Sequence, residues 1–191
     1  MNVHEAILGR RSIGRMTADP VDKKVIEKLL EAAVYAPNHR KTEPWRFIVM
    51  TGEGRSVLGK GYAEVERENA AGKMDEEQLK AHLEKQAAKA FRAPVVIAVA
   101  VEPSEGLGIE RIEEFAAVHA AVQNMLLAAH ELGLASIWRT GSPTYHPKMR
   151  AAFDLPETAE LVGFVYLGHP VETSVPIPER TFAGKTVWLE A

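Results

Sequence analysis

The sequence predicts an α+β fold with about four strands, and three features carry that expectation. PVVIAVAV at 94–101 is an unbroken β-rich apolar run, as expected of a strand buried on both faces. Phe115, Val118, Val122, Met125, Ala129 and Leu132 recur at three- and four-residue steps, the period of a long helix. Shorter apolar runs, RFIVM at 46–50, LASIW at 134–138 and LVGFVYLG at 161–168, alternate with helical or turn-forming stretches. Two of the connections between strands therefore contain long helices.

In chain order, Val3, Ile7 and Leu8 mark a short helix that ends near GRRS. Asp22 is placed to cap a second helix with the stripe Val25, Ile26, Leu29, Leu30 and Ala33, which APN at 36–38 stops. TGEG turns the chain after the first strand. From about 55 to 92 the sequence is polar and helical, and Asp75 and Gln78 have the spacing of a capping box. Few large apolar residues lie between Tyr62 and Phe91, so this segment is expected to form a peripheral, mobile layer or lid. The long helix after 110 is apolar or small on most faces, which predicts burial on both sides, one of them against a second subunit; Gly133 fits its end. Prolines after residue 170 predict an extended tail. The chain reads as one domain over 1–191, without internal repeats.

Composition narrows the function. A chain of 191 residues supports one sizeable core. A net charge of −3 provides no basic field for nucleic acid. The absence of Cys excludes disulfides, thiol catalysis and thiolate metal sites. MNVHEAILGRRS is not a secretory signal, and no apolar run approaches the roughly 20 residues that span a bilayer. A cytoplasmic protein is expected.

Several motifs fail on inspection. Residues 54–61 fit GxxxxGK after a strand, but Gly61 replaces the magnesium-binding Ser or Thr, and Val57 and Leu58 occupy the phosphate cradle. A nucleotide hydrolase built on this loop is the weaker alternative. The GxGxxG that starts at Gly52 has Val57 in place of its third glycine. His130-Glu131 opens HExxH, but residue 134 is Leu; no metal site is expected. No GxSxG elbow is present.

Three polar patches remain. Arg10, Arg11 and Ser12 offer two guanidinium forks and a hydroxyl, groups that match phosphate oxygens. PNHRKTEPWRFIV at 37–49 gathers hydrogen-bonding and charged groups at the mouth of a strand. WRTGS at 138–142 places an indole, a guanidinium and a polar turn after another strand. Together they offer cations for a phosphate, planar groups for stacking and polar groups for a heterocycle's edge.

GRRSIGRM at 9–16, APNHRKTEPWRF at 36–47, LGLASIWRTG at 132–141 and VGFVYLGHP at 162–170 resemble, in order and spacing, the nitroreductase family, with its short-chain YdjA-type branch the nearest. The resemblance runs from about residue 3 to 170. It implies a mainly antiparallel sheet flanked by helices, an intertwined homodimer, and FMN at the subunit interface with NAD(P)H as co-substrate. It further implies that Arg10, Arg11 and Ser12 hold the phosphate and ribityl chain. Asn38, His39 and Lys41 would reach the flavin from the partner subunit, and Trp138, Arg139 and Thr140 would line the ring and ribityl side. Arg180 or Lys185 would add a tail cation at the phosphate. Hydride would pass to flavin N5 and on to a nitroaromatic, quinone or similar acceptor in ping-pong turnover, with no catalytic side chain; a flavin-binding storage or sensing protein is the alternative. Three positions depart from the family pattern. Lys41 and Glu43 stand where many relatives carry Asn and Gln, and Gly14 stands for an Arg, with Arg15 adjacent.

Overall fold

The computed structural model describes residues 1–172 and 176–190. Its helices are α1 (Val3–Gly9), α2 (Lys23–Val34), α3 (Ser56–Asn69), α4 (Glu76–Ala87), α5 (Arg111–Glu131) and α6 (Pro147–Ala152). Its strands are β1 (Trp45–Thr51), β2 (Val95–Val101), β3 (Ala135–Arg139) and β4 (Glu160–Gly168). The strands form one antiparallel sheet in the order β1-β2-β4-β3.

The apolar run at 94–101 is the centre of the fold. Every residue of β2 is buried. Its side chains alternate between faces, as period two requires. Val95, Ile97, Val99 and Val101 pack with Ile26 and Leu29 of α2 and with Val118, Val122 and Met125 of α5. Val96, Ala98 and Ala100 pack with Leu58, Tyr62 and Val65 of α3 and with Met149 of α6.

The predicted caps are present. Asp22 accepts the Lys24 N–H at 2.7 Å. Asp75 and Gln78 bond reciprocally at the start of α4. At the end of α5, Gly133 adopts φ +73°. The Leu134 N–H reaches Ala129 O at 2.8 Å and the Gly133 N–H reaches His130 O at 3.1 Å, a Schellman turn.

The segment expected to be a lid divides in two. α3 belongs to the core, because Leu58, Tyr62 and Val65 lie one turn apart on its sheet-facing side. α4 is the outer layer and buries only Leu83. The phosphate-loop alternative is overturned here. Gly59 and Gly61 lie inside α3, where backbone amides bond within the helix, and Lys60 is exposed. A Cβ on Gly59 would sit 3.1 Å from Ala87 O, and one on Gly61 2.6 Å from Met149 Sδ. These glycines let α3 approach α4 and α6; they cradle nothing.

The two edges of the sheet differ. Residues 13–17 run along the β3 side, with the Ile13 N–H on Ser136 O at 3.0 Å and the Thr17 N–H on His169 O at 2.9 Å. Among the described residues β1 pairs with β2 alone. Of the tail, 173–175 and 191 lie outside the described residues; 176–190 is exposed and without helix or strand.

A bulge in β4 fixes β3 against it. Val99 pairs with Gly163 and Ala100 with Leu161, which leaves Val162 as the extra residue. Gly163 has φ +152°, and a Cβ there would lie 2.0 Å from Trp138 Nε1. The indole N–H donates to Val162 O at 3.2 Å. Gly163→Ala should therefore lower stability by about 1–3 kcal/mol through overpacking, read from urea unfolding.

α4 is tied to α3 by Glu66 and His82, 2.9 Å apart. The hydrogen bond with His82 holds the Glu66 carboxyl below its ordinary value, against a partial desolvation that raises it. A depressed carboxylate contributes stability that is present above its unfolded value and lost as pH falls through the folded one. Wild-type urea midpoints should fall as pH drops below the ordinary glutamate range, near about 4.3. Glu66→Gln should flatten that acid limb.

Candidate functional site

The first patch is built by α1 and the end of α5. Asn2 and Glu5 form a reciprocal capping box at the start of α1, with both bonds at 2.9 Å. The helix stops at Gly9, where a Cβ would lie 2.7 Å from His130 Nε2, so the missing side chain lets α1 lie against the C-terminal turn of α5. Arg10 and Arg11 emerge beside that turn, the negative end of the α5 dipole, which favours cations.

Arg11 is turned onto its own backbone. Its Nη1 donates to Leu8 O at 2.8 Å and to Arg10 O at 2.6 Å, and its Nε donates to Pro176 O at 3.0 Å. Its Nη2 is buried without a partner. The Arg10 guanidinium is held below its ordinary pKa by burial and by the positive charges of Arg11 and Arg180. Of the two tail cations weighed from the sequence, Arg180 is near enough for its charge to be felt at Arg10. Among the described residues, none of the three arginines forms an ion pair. Ser12 is exposed beside them. Guanidinium forks with no ion-paired carboxylate among the described residues have the chemistry to receive an anion such as phosphate.

Trp138 and Arg139 end β3 and Thr140 follows it, but their side chains diverge. Trp138 turns to the α5 face, its ring centroid 5.5 Å from that of His119, with its N–H spent on Val162 O. Arg139 turns to the opposite face, 5.4 Å above the Tyr166 ring. Burial raises the pKa of the Tyr166 and Tyr62 hydroxyls, and the charge of Arg139 opposes it. Arg139 Nε is buried without a partner. The Cβ position of Gly14 is 3.4 Å from Arg139 Nη2, so an Arg at residue 14 would bring a second guanidinium against the first. Thr140 alone of the three is exposed.

The loop at 37–43 is strained and closed on itself. Arg40, Lys41 and Glu43 have φ of +58°, +55° and +49°, the left-handed region that non-glycine residues seldom adopt. Asn38 Oδ1 accepts the Glu43 N–H at 3.1 Å, so this side chain closes the loop. His39 Nδ1 is 4.0 Å from Glu113 Oε2. Lys41 is exposed and forms no ion pair among the described residues. Glu114 escaped the sequence reading. It is 1% exposed and accepts from the Thr42 hydroxyl at 2.5 Å and the Ser104 N–H at 3.0 Å. The signal was a carboxylate in register with the buried Val118, Ala121 and Met125.

One chain does not bring all three patches together. Arg10–Ser12 and Trp138–Thr140 lie at β3, whereas Asn38, His39 and Lys41 lead into β1, at the other edge of the sheet. Three strand spacings, about 14 Å, separate those edges. A cavity of about 610 Å³ between α2 and the β1–β2 end is lined by Val21, Ile26, Leu30, Val49 and Val95 and by none of the candidate residues. A smaller hollow, about 180 Å³, lies at the arginine corner between Gly9, Arg11, His130 and Pro170.

The nitroreductase family model matches residues 7–169. The Escherichia coli (strain K12) protein YdjA, provisionally named an NAD(P)H nitroreductase, is 33% identical over 184 residues, 95% of this chain and 97% of YdjA. A nitroreductase-like family protein from Bacillus cereus superimposes with a TM-score of 0.84 at 28% identity, over 100% of this chain and 97% of that one. A nitroreductase with bound FMN from Bacteroides fragilis superimposes with a TM-score of 0.73 at 25% identity, over 100% of both chains. With its antiparallel sheet, its arginine corner and the family match over nearly the whole chain, this protein belongs to the nitroreductase family.

Proposed function

We propose that the protein is an FMN-dependent NAD(P)H oxidoreductase, a cytoplasmic homodimer with FMN between its subunits. Arg10, Arg11 and Arg180, which form no ion pair among the described residues, carry the proposal, since they leave charge for a dianionic phosphate. Arg10, Arg180 and the exposed Ser12 hydroxyl would bind it, while Arg11 fixes the backbone around them. Thr140 and the backbone after β3 would face the ribityl chain and ring, with Trp138 and Arg139 locking that strand end from its two faces.

The separation of the patches supports the dimer. His39 and Lys41 of the partner subunit would complete the site, on the loop that Asn38 closes. Ile112 of α5 is 79% exposed, and Phe182, Val187 and Trp188 of the tail are 70–83% exposed, apolar surface that a second subunit would cover. No described helix is long and apolar enough to cross a membrane.

Bound FMN would supply hydride transfer from NAD(P)H to an electron-poor acceptor, a nitroaromatic or quinone, in ping-pong order. The chain would contribute position and charge. Lys41 would set a cation near a ring that gains negative charge on reduction, and so raise its potential.

Purified protein should carry flavin and oxidise NADH or NADPH with a quinone or nitro acceptor. A colourless protein that FMN does not reconstitute would remove the assignment, and a yellow protein without turnover would leave a storage or sensing role. Arg10→Ala and Arg180→Ala should each weaken FMN binding by about 10- to 100-fold, the worth of a hydrogen bond to a charged group. Lys41→Ala should loosen FMN or lower its potential in an intact dimer, measured by flavin titration and redox equilibration; no effect on either would take Lys41 out of the site.

A further inference from the structure

We infer that Glu114, outside the proposed FMN contacts, is the positioning residue that holds the 38–43 loop in its flavin-reaching form. The inference rests on the loop assignment made under Proposed function. Four observations support it. Glu114 is a carboxylate at 1% exposure on a helix face otherwise filled by Val118, Ala121 and Met125. Such burial is unfavourable unless the oxygens are satisfied, and both are. Oε1 accepts the Thr42 hydroxyl at 2.5 Å, and Oε2 accepts the Ser104 N–H at 3.0 Å. One side chain thereby joins α5, the strained loop and the segment after β2.

The second observation is the strain. Arg40, Lys41 and Glu43 flank Thr42 in left-handed conformations, and such residues persist only where their surroundings hold them. Thr42 sits between Lys41 and Glu43 and is bonded to a buried, rigid helix. Third, the neighbouring contacts are weaker: His39 Nδ1 is 4.0 Å from Glu113 Oε2, and Arg40 extends along the backbone at Gly108. Fourth, the Thr42 hydroxyl has a second acceptor, His39 O at 3.3 Å, but only one proton to give. The shorter contact assigns that proton to Glu114.

This arrangement separates shape from charge. In Glu114→Gln, the amide oxygen would accept from Ser104, the amide nitrogen would donate to Thr42 Oγ1, and the Thr42 proton would turn to His39 O. Every polar group keeps a partner. In Glu114→Ala, the Ser104 N–H loses its protein acceptor and the Thr42 hydroxyl keeps only His39 O, within its own loop, so the link from the loop to α5 is broken. Thr42→Val removes the same link from the other side, and Thr42→Ser preserves it.

The test uses the FMN-loaded dimer, with hydrogen–deuterium exchange across 38–43 and FMN dissociation constants measured well below the unfolding temperature. Glu114→Ala and Thr42→Val should each speed exchange in this loop and raise the FMN dissociation constant by about tenfold. Glu114→Gln and Thr42→Ser should stay within about twofold of wild type, a rescue that lost helix stability alone would not produce. Unchanged exchange in both link-breaking variants would overturn the inference, whatever the melting temperature. Faster exchange with unchanged FMN affinity would also overturn it, provided Lys41→Ala weakens FMN. If Lys41→Ala leaves FMN binding and potential untouched while exchange still responds to Glu114, the loop assignment is what fails.

Discussion

A strand with no polar side chain and no exposed residue constrains everything around it. β2 must be covered on both faces and paired on both edges, since its backbone groups would otherwise be buried without partners. β1 and β4 satisfy the edges, α2 and α5 cover one face, and α3 and α6 cover the other. That enclosure keeps function out of the middle of the molecule. Polar chemistry is left to the places where the chain leaves the sheet: the arginine corner beside β3 and the strained loop before β1. The separation of these places is a direct result of the two strands between them.

The corner is unusual in its electrostatics rather than in its composition. Four arginines elsewhere pair with carboxylates, among them Arg15 with Glu172 at 2.6 Å and Arg46 with Glu102 at 2.8 Å, whereas Arg40, Arg55, Arg92, Arg139 and Arg150 form no ion pair among the described residues. The chain has 26 acidic residues against 23 Lys and Arg, so acids are not scarce. Yet Arg10 feels the charges of Arg11 and Arg180, and none of the three forms an ion pair among the described residues. Mutual repulsion in a half-buried setting is tolerable when an anion is to arrive there. Arg11, bonded to Leu8 O, Arg10 O and Pro176 O, ties the end of α1 to the tail.

Much of the fold was legible in the sequence because its signals are local. The apolar run of β2, the Asp22 and Asp75 caps and the Gly133 turn each declare themselves within a few residues. α6 was missed because it is only six residues long, with Pro147 at its start and the His146 cap as its sole markers. Charged residues on the outer side of α3 hid the Leu58, Tyr62 and Val65 stripe, and its two glycines look like a phosphate loop until their contacts with α4 and α6 are seen. At the site, residue types were readable and directions were not. Trp138 and Arg139 part to opposite faces because adjacent residues in a strand must. Asn38 turns inward to Glu43, and the partners of Glu114 lie 72 and 10 residues away in sequence.

The open side of β1 has a consequence for the free chain. β3 is shielded along its outer edge by residues 13–17, whereas β1 presents its outer backbone groups with Val49 38% exposed beside them. An unshielded edge strand is a template for pairing with any extended apolar segment. Among the described residues nothing pairs with the outer edge of β1, so a subunit without a partner there would carry its own route to aggregation. If the proposed dimer covers this edge, solubility, like the proposed site, would be a property of two chains rather than one.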